Sequence, residues 1–298
     1  PADCGAEAGE YCAIWLGPEM PGDQRGDDAR STTFTTAPQE AALDIVGAPT
    51  VTLMLATDQP QAQIAVRLNH VHPDGASTRI TYGVLNLSHR KDAGAPTPMT
   101  PGVAEEVTLA LDHIAYRVPA GHRLRVSISN AYWPLLWPSP TSTRLHLTQG
   151  HIDLPLRQSG DADEVSFAPP AAAAPWNVED LRAESHVRRR ETDLVSGAVT
   201  LVIEDDFGKQ RDLDHGLISG TVARERWTIH PDDPLCASGA CHWTDERQRG
   251  DIALRTETQC SMHADAETFY LSARLEAFEN DVCIYARDVS ESIPRDQM

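Results

Sequence analysis

Apolar and polar positions alternate with a period of two along most of the chain. The segment Thr50–Ala56 reads Thr-Val-Thr-Leu-Met-Leu-Ala, and Gln63–Leu68 alternates more weakly. Arg79–Leu87, Val107–Leu111, Leu124–Ser129, Arg144–Leu147 and Ile152–Leu156 read as further short strands. Alternation of this kind marks strands that bury one face. Turn chemistry separates them. In His72-Pro73-Asp74-Gly75 the proline fixes φ and the glycine tolerates positive φ, and Pro119-Ala120-Gly121-His122 is a second turn. No run of helical period and length intervenes, so the crossover helices of a parallel α/β fold are missing. The pattern predicts an all-β fold, an antiparallel sandwich or jelly roll.

The character changes at residues 158–176. A polar stretch leads into Pro169-Pro170-Ala171-Ala172-Ala173-Ala174-Pro175, whose prolines favour an extended spacer over a helix. A domain boundary is expected there, between a region 1–157 and a region 177–298. Asn177 is expected to cap a short helical turn running to Glu184, with Glu179 and Asp180 near its positive end. Longer strands follow: Leu194–Ile203, then an acidic turn at Glu204–Gly208, then Thr221–Ile229 and Asp251–Cys260. Thr268–Phe278 sets Phe269, Leu271, Ala273, Leu275 and Ala277 against Tyr270, Ser272, Arg274 and Glu276. Asp281–Arg287 closes the set after a tight hairpin position at Glu279-Asn280. The second region is therefore expected to be an antiparallel meander packing one apolar face, with the first region as its expected support.

Charge narrows the range of partners. The 298 residues carry a formal net charge of −19, which repels nucleic-acid phosphates and anionic membrane surfaces. The densest basic run, Arg188–Arg190, is flanked by Glu184 and Glu191 and reads as a local ion-pair cluster. No stretch approaches the ~20 apolar residues of a membrane helix. Pro1–Glu10 lacks the basic start of a signal peptide, and a chain opening on proline is expected to derive from a longer one. Six cysteines over this length do not make a disulfide scaffold. They read as free thiols of a bacterial cytoplasm, although Cys236 and Cys241 are spaced to close a small loop. There is no Cys-x-x-Cys, and neither metal nor cofactor is expected.

Catalytic chemistry is hard to place. No serine has glycine at both −2 and +2, so the nucleophile elbow of an α/β-hydrolase is absent from the sequence. Ser88-His89-Arg90-Lys91 matches Ser-x-x-Lys, but at a strand end rather than on a helix. His70 and His72 share one strand face and can bind a metal. With no third ligand evident they read as flanks of the following turn. Asp112, His113, His122 and His151 are scattered. The most distinctive segment is Asn130–Pro140, where Tyr132, Trp133, Trp137 and three prolines fall within eleven residues. Rigid aromatic loops make binding surfaces or inter-domain contacts, or they cap a core.

This loop and the segments before it carry a resemblance. Ala48–Leu53, Val66–Leu68 leading to Val71–Gly75, Ile80–Leu85, Pro119–Arg125 and Ser127–Ser129, with Phe34–Pro38 as the opening strand, resemble in order and spacing the C-terminal domain of the X-Pro dipeptidyl-peptidase and cocaine esterase family. The resemblance spans roughly residues 10–157, and residues 176–298 look like the extension of longer bacterial relatives. It implies a galactose-binding-like jelly roll that packs on an α/β-hydrolase catalytic domain and helps shape its substrate cleft. No residue here matches that family's catalytic motifs, so none is assigned a catalytic role. Tyr132, Trp133 and Trp137 are the expected contacts to cleft or partner domain. The alternative is a stand-alone carbohydrate- or ligand-binding sandwich using an exposed tryptophan pair. Self-association into a homo-oligomer is expected if an apolar face is left uncovered.

Overall fold

Strands form where the alternation places them, and the structure shows what each face meets. The computed structural model describes residues 1–10, 19–158, 160 and 165–298; Cys12 and part of the expected spacer lie outside the described residues. The chain divides into two compact units, residues 1–160 with 230–235 and 295–298, and residues 161–229 with 236–294.

The first unit is an antiparallel β-sandwich. One sheet has the order β1 (Thr32–Thr35), β8 (Arg123–Ser129), β4 (Gln63–Val71), β5 (Ser77–Asn86). Facing residues come from β6 (Glu105–Ala110), β3 (Thr50–Thr57) and β9 (Leu145–Asp153), and from the pair β2 (Leu43–Gly47) and β7 (Ile114–Val118). The expected strands Arg144–Leu147 and Ile152–Leu156 are one strand, β9, because β3 pairs with it continuously apart from one register shift. Alternate residues Val51, Leu53 and Leu55 of β3 and Ile64, Val66 and Leu68 of β4 meet in the core, with Val107, Leu124 and Ile128. Each such side chain contributes about 1.5–3 kcal/mol on burial.

The opposite face of β4 is polar and equally buried. A short helix, α1 (Arg25–Asp28), places Asp28 against it. The Asp28 carboxylate accepts hydrogen bonds from Asn69 Nδ2 (2.9 Å), Ser127 Oγ (2.7 Å), Ser77 Oγ (2.8 Å) and Arg125 Nη1 (2.9 Å). Arg67 Nη2 lies 3.4 Å from the same carboxylate. Arg67 is fully buried and also donates to Gln24 Oε1 and Ser31 Oγ, each at 2.8 Å.

The second unit is one antiparallel sheet, ordered β10 (Val178–Arg182), β12 (Val199–Asp212), β13 (Ile218–His230), β14 (Asp233–Arg249), β15 (Ile252–Ala264), β16 (Thr268–Glu279), β17 (Val282–Pro294), with β11 (Ser185–Thr192) also on β12. Two expectations are corrected here, and one alternative left open by the sequence is closed. Residues 178–182 form strand β10 rather than a helical turn, since Leu213 N donates to Asn177 O and the ladder with β12 follows. The acidic run 204–208 lies inside β12, not in a turn, because cross-strand cations neutralise it. Arg188 donates to both oxygens of Asp205 at 3.0 Å, Arg182 reaches Asp206 at 2.7 Å, and Glu204 is paired in register with Arg224. Cys236–Cys241 is extended within β14 and closes no loop; ladder pairing overrides the weak strand preference of its Ala, Ser and Gly. The last hairpin turns on Asn280 and Asp281, at φ 48° and 65°, the left-handed pair that a two-residue turn requires.

Two outcomes are expected. Asp28→Ala, which strands a buried guanidinium, lowers the unfolding free energy of the first unit by about 3–5 kcal/mol in urea titration. In the second unit a Cβ on Gly239 would collide with the Trp227 ring. Gly239→Ala therefore costs about 1–3 kcal/mol by overpacking, and less in a Trp227→Leu background.

Candidate functional site

The aromatic-proline loop leaves β8 and returns to β9. Its ends are tied where Asn130 Nδ2 donates to Thr143 O and Ser129 Oγ donates to Ala131 O (2.8 Å). Tyr132 is completely buried among Ala8, Ala65, Tyr82 and Val84. Its hydroxyl accepts from Arg79 Nη1 at 2.7 Å, and the same nitrogen reaches Ala8 O. Burial pushes the Tyr132 phenol up to about 12, against the pull of Arg79. Trp133 is 3% exposed and meets Trp137 edge-to-face at 5.3 Å between ring centroids. Trp137 is half-buried. The amino-terminal segment locks the loop from below: Trp133 N donates to Cys4 O at 2.7 Å, and a Cβ on Gly5 would lie 2.6 Å from Trp133 backbone atoms. Arg295 Nη2 adds a bond to Pro138 O.

Of the three aromatic residues expected to make contacts, Trp137 alone offers surface; Tyr132 and Trp133 brace the loop. A face of Trp133 is not available to lie flat on a sugar ring. Beside the loop lies a shallow cleft of about 170 Å³ bordered by Asn130, Pro138, Ser139 and Thr143.

A larger feature was not legible as a site in the sequence. An apolar groove of about 540 Å³ opens between the sheets, lined by Phe34, Val51, Leu53, Val126, Leu147 and Ile152. Phe34, on edge strand β1, is 57% exposed at this groove. The alternation of β1 is too short to reveal which face its phenylalanine takes.

The structure also brings His122 to the pair His70 and His72, supplying a third histidine that no sequence spacing connects to them. Burial, then the neighbouring His72 and His122, push the His70 imidazole down to about 4. Ser88 is buried at the start of a short 3₁₀ turn, Leu87–His89, while Lys91 pairs with Glu105 at 2.9 Å. In the second unit Cys241 stands opposite Cys260, and burial with Glu225 and Cys260 raises its thiol to about 11.

Residues 5–178 match the family described as the X-Pro dipeptidyl-peptidase C-terminal non-catalytic domain. Proteins named as serine esterases in Mycobacterium bovis and Mycobacterium tuberculosis are each 28% identical over 159 residues, covering 46% of this chain and 25% of theirs. The chain thus spans about a quarter of the length of these curated relatives. Among solved structures, an α-amino acid ester hydrolase aligns with a TM-score of 0.44 and 23% identity over 45% of this chain and 27% of its own. An aminopeptidase from a marine-sediment thaumarchaeon aligns with a TM-score of 0.45 and 18% identity over 50% and 30%. With more than half of its length matched, the sandwich included, the chain belongs to the X-Pro dipeptidyl-peptidase C-terminal non-catalytic domain family.

Proposed function

We propose that this chain is the accessory part of a serine hydrolase, packing on an α/β-hydrolase domain and helping to shape its substrate cleft. The observation that carries the reading is the family match over residues 5–178, in a sequence without a nucleophile elbow. On this reading residues 1–157 are the accessory sandwich, 158–176 a spacer and 177–298 an extension. The braced loop supports the proposal. Tyr132 and Trp133 hold its backbone rigid, so the half-buried Trp137 and Pro134 meet a partner without first being ordered, which lowers the entropic cost of docking. The groove at Phe34 is the second apolar surface available to the same partner domain. Among the described residues no helix is long and apolar enough to cross a membrane, and the free Cys4, Cys241, Cys260 and Cys283 suit a reducing cytoplasm.

The test is co-expression with the hydrolase domain of its parent polypeptide, read as co-purification and ester or X-Pro anilide turnover. The two pieces are expected to associate and to be more active together than the hydrolase piece alone. Trp137→Ala or Phe34→Asp is expected to weaken association roughly tenfold or more, with the fold intact. Tyr132→Phe is expected to do the opposite, lowering stability by about 1–3 kcal/mol while leaving association unchanged. Absence of both association and activity gain overturns the docking reading.

A further inference from the structure

The β4–β8 ladder pairs His70 with Leu124 and Val71 with Arg123. One step further along both strands, the same register sets His72 opposite His122. Side chains two apart share a face, so the three histidines converge at one end of this sheet, beside the turns Pro73–Gly75 and Pro119–Gly121. Their rings touch: His70 and His72 stack with centroids 4.0 Å apart, and His122 lies 4.8 Å from His70 and 5.5 Å from His72. One ring nitrogen from each falls within 4.8 Å of the other two. His70 is buried; His72 and His122 are half-buried, so the cluster has both an anchored side and an open one.

The partners of the remaining nitrogens matter as much. His70 Nδ1 is 2.8 Å from Tyr116 Oη, and His72 Nε2 is 3.0 Å from Thr78 Oγ1. A hydroxyl that accepts the far ring proton fixes a ligating imidazole's tautomer and orientation. With Nδ1 of His70 and Nε2 of His72 so engaged, Nε2 of His70 and Nδ1 of His72 are the nitrogens left to a ligand beside His122. His70 Nε2 and His122 Nδ1 already lie 2.6 Å apart, at hydrogen-bonding distance. Nitrogens bound tetrahedrally at 2.0–2.1 Å sit roughly 3.4 Å apart. Replacing that hydrogen bond by a cation therefore asks the pair to open by about 0.8 Å, within reach of small side-chain torsions. A hard cation such as calcium or magnesium would require oxygen ligands, whereas three neutral imidazoles suit a borderline ion.

We propose that His70, His72 and His122 form a binding site for a divalent cation of the zinc type, with the fourth position open to solvent. The ion ties the β4–β5 turn to the β7–β8 turn and closes that end of the sandwich.

The test uses the full chain, stripped with chelator and titrated with zinc chloride by calorimetry, with the thermal midpoint measured with and without zinc. One tight equivalent per chain is expected, at micromolar Kd or below, with a rise of several degrees in the midpoint. His122→Ala and His72→Ala replace half-buried side chains and are each expected to weaken that equivalent 10–100-fold and remove the thermal shift. His113→Ala, exposed and outside the cluster, is expected to change neither. Cobalt substitution of the wild type should give the visible absorption of a four-coordinate nitrogen site, and its loss in both cluster variants ties the signal to these residues. Binding no tighter than millimolar, or tight binding that survives both His122→Ala and His72→Ala, overturns the proposal.

Discussion

Arg67 lies in β4 with none of its side chain exposed, and a guanidinium cannot be left there without compensation. The carboxylate of Asp28 supplies it, while also accepting from Asn69, Ser77, Ser127 and Arg125. These donors come from β4, β5 and β8, so one acidic residue gathers three strands of the same sheet. Gln24 and Ser31, on either side of α1, accept from Nη1 and Nη2 of Arg67. A buried pair of this kind adds little net stability over an apolar substitute, but it is unforgiving of any arrangement that leaves a charge alone. Its effect is to fix where the amino-terminal segment lies on the sheet.

That placement propagates to the surface. With α1 in position, the Asp27 carboxylate accepts the backbone N–H groups of Gly5 and Glu7, each at 3.0 Å. The segment held in this way passes beneath the aromatic loop and gives Trp133 its backbone partner at Cys4. Arg79 bridges the same segment to the Tyr132 hydroxyl. The loop is thus rigid because its supports are rigid, and the half-buried Trp137 is presented by a chain of contacts that starts at Asp28. Surface function on a β-sandwich commonly rests on loops held this way.

The second unit is stabilised differently. Its strands are long and its acidic and basic residues face one another across the ladder, as Asp205 does with Arg188 and Glu257 with His242 at 2.7 Å. The first of these pairs is largely buried and the second half-buried, so each charge is compensated across the ladder rather than by solvent. This cross-strand compensation, together with the continuous backbone ladder, explains how strands with so many charges remain strands.

How much of this was legible in the sequence follows from the range of each interaction. Period-two alternation is local, so β3, β5, β8, β13 and β16 could be read directly, and with them the all-β class; the ordered motifs added the family. Signals that depend on a partner were invisible. Arg67 and Asn69 look like an ordinary solvated strand face until α1 covers them. Glu204–Gly208 reads as a turn until the cations of β10 and β11 are set beside it. The small residues of Cys236–Cys241 become a strand only through their neighbours. The aromatic loop was evident from composition, but which of Tyr132, Trp133 and Trp137 faces outward was decided by what the amino terminus packs against. His70 and His72 announced themselves by spacing. His122, 50 residues beyond His72, joins them solely because β4 and β8 pair in one register, and register across a sheet is set by tertiary packing rather than by any local run of residues.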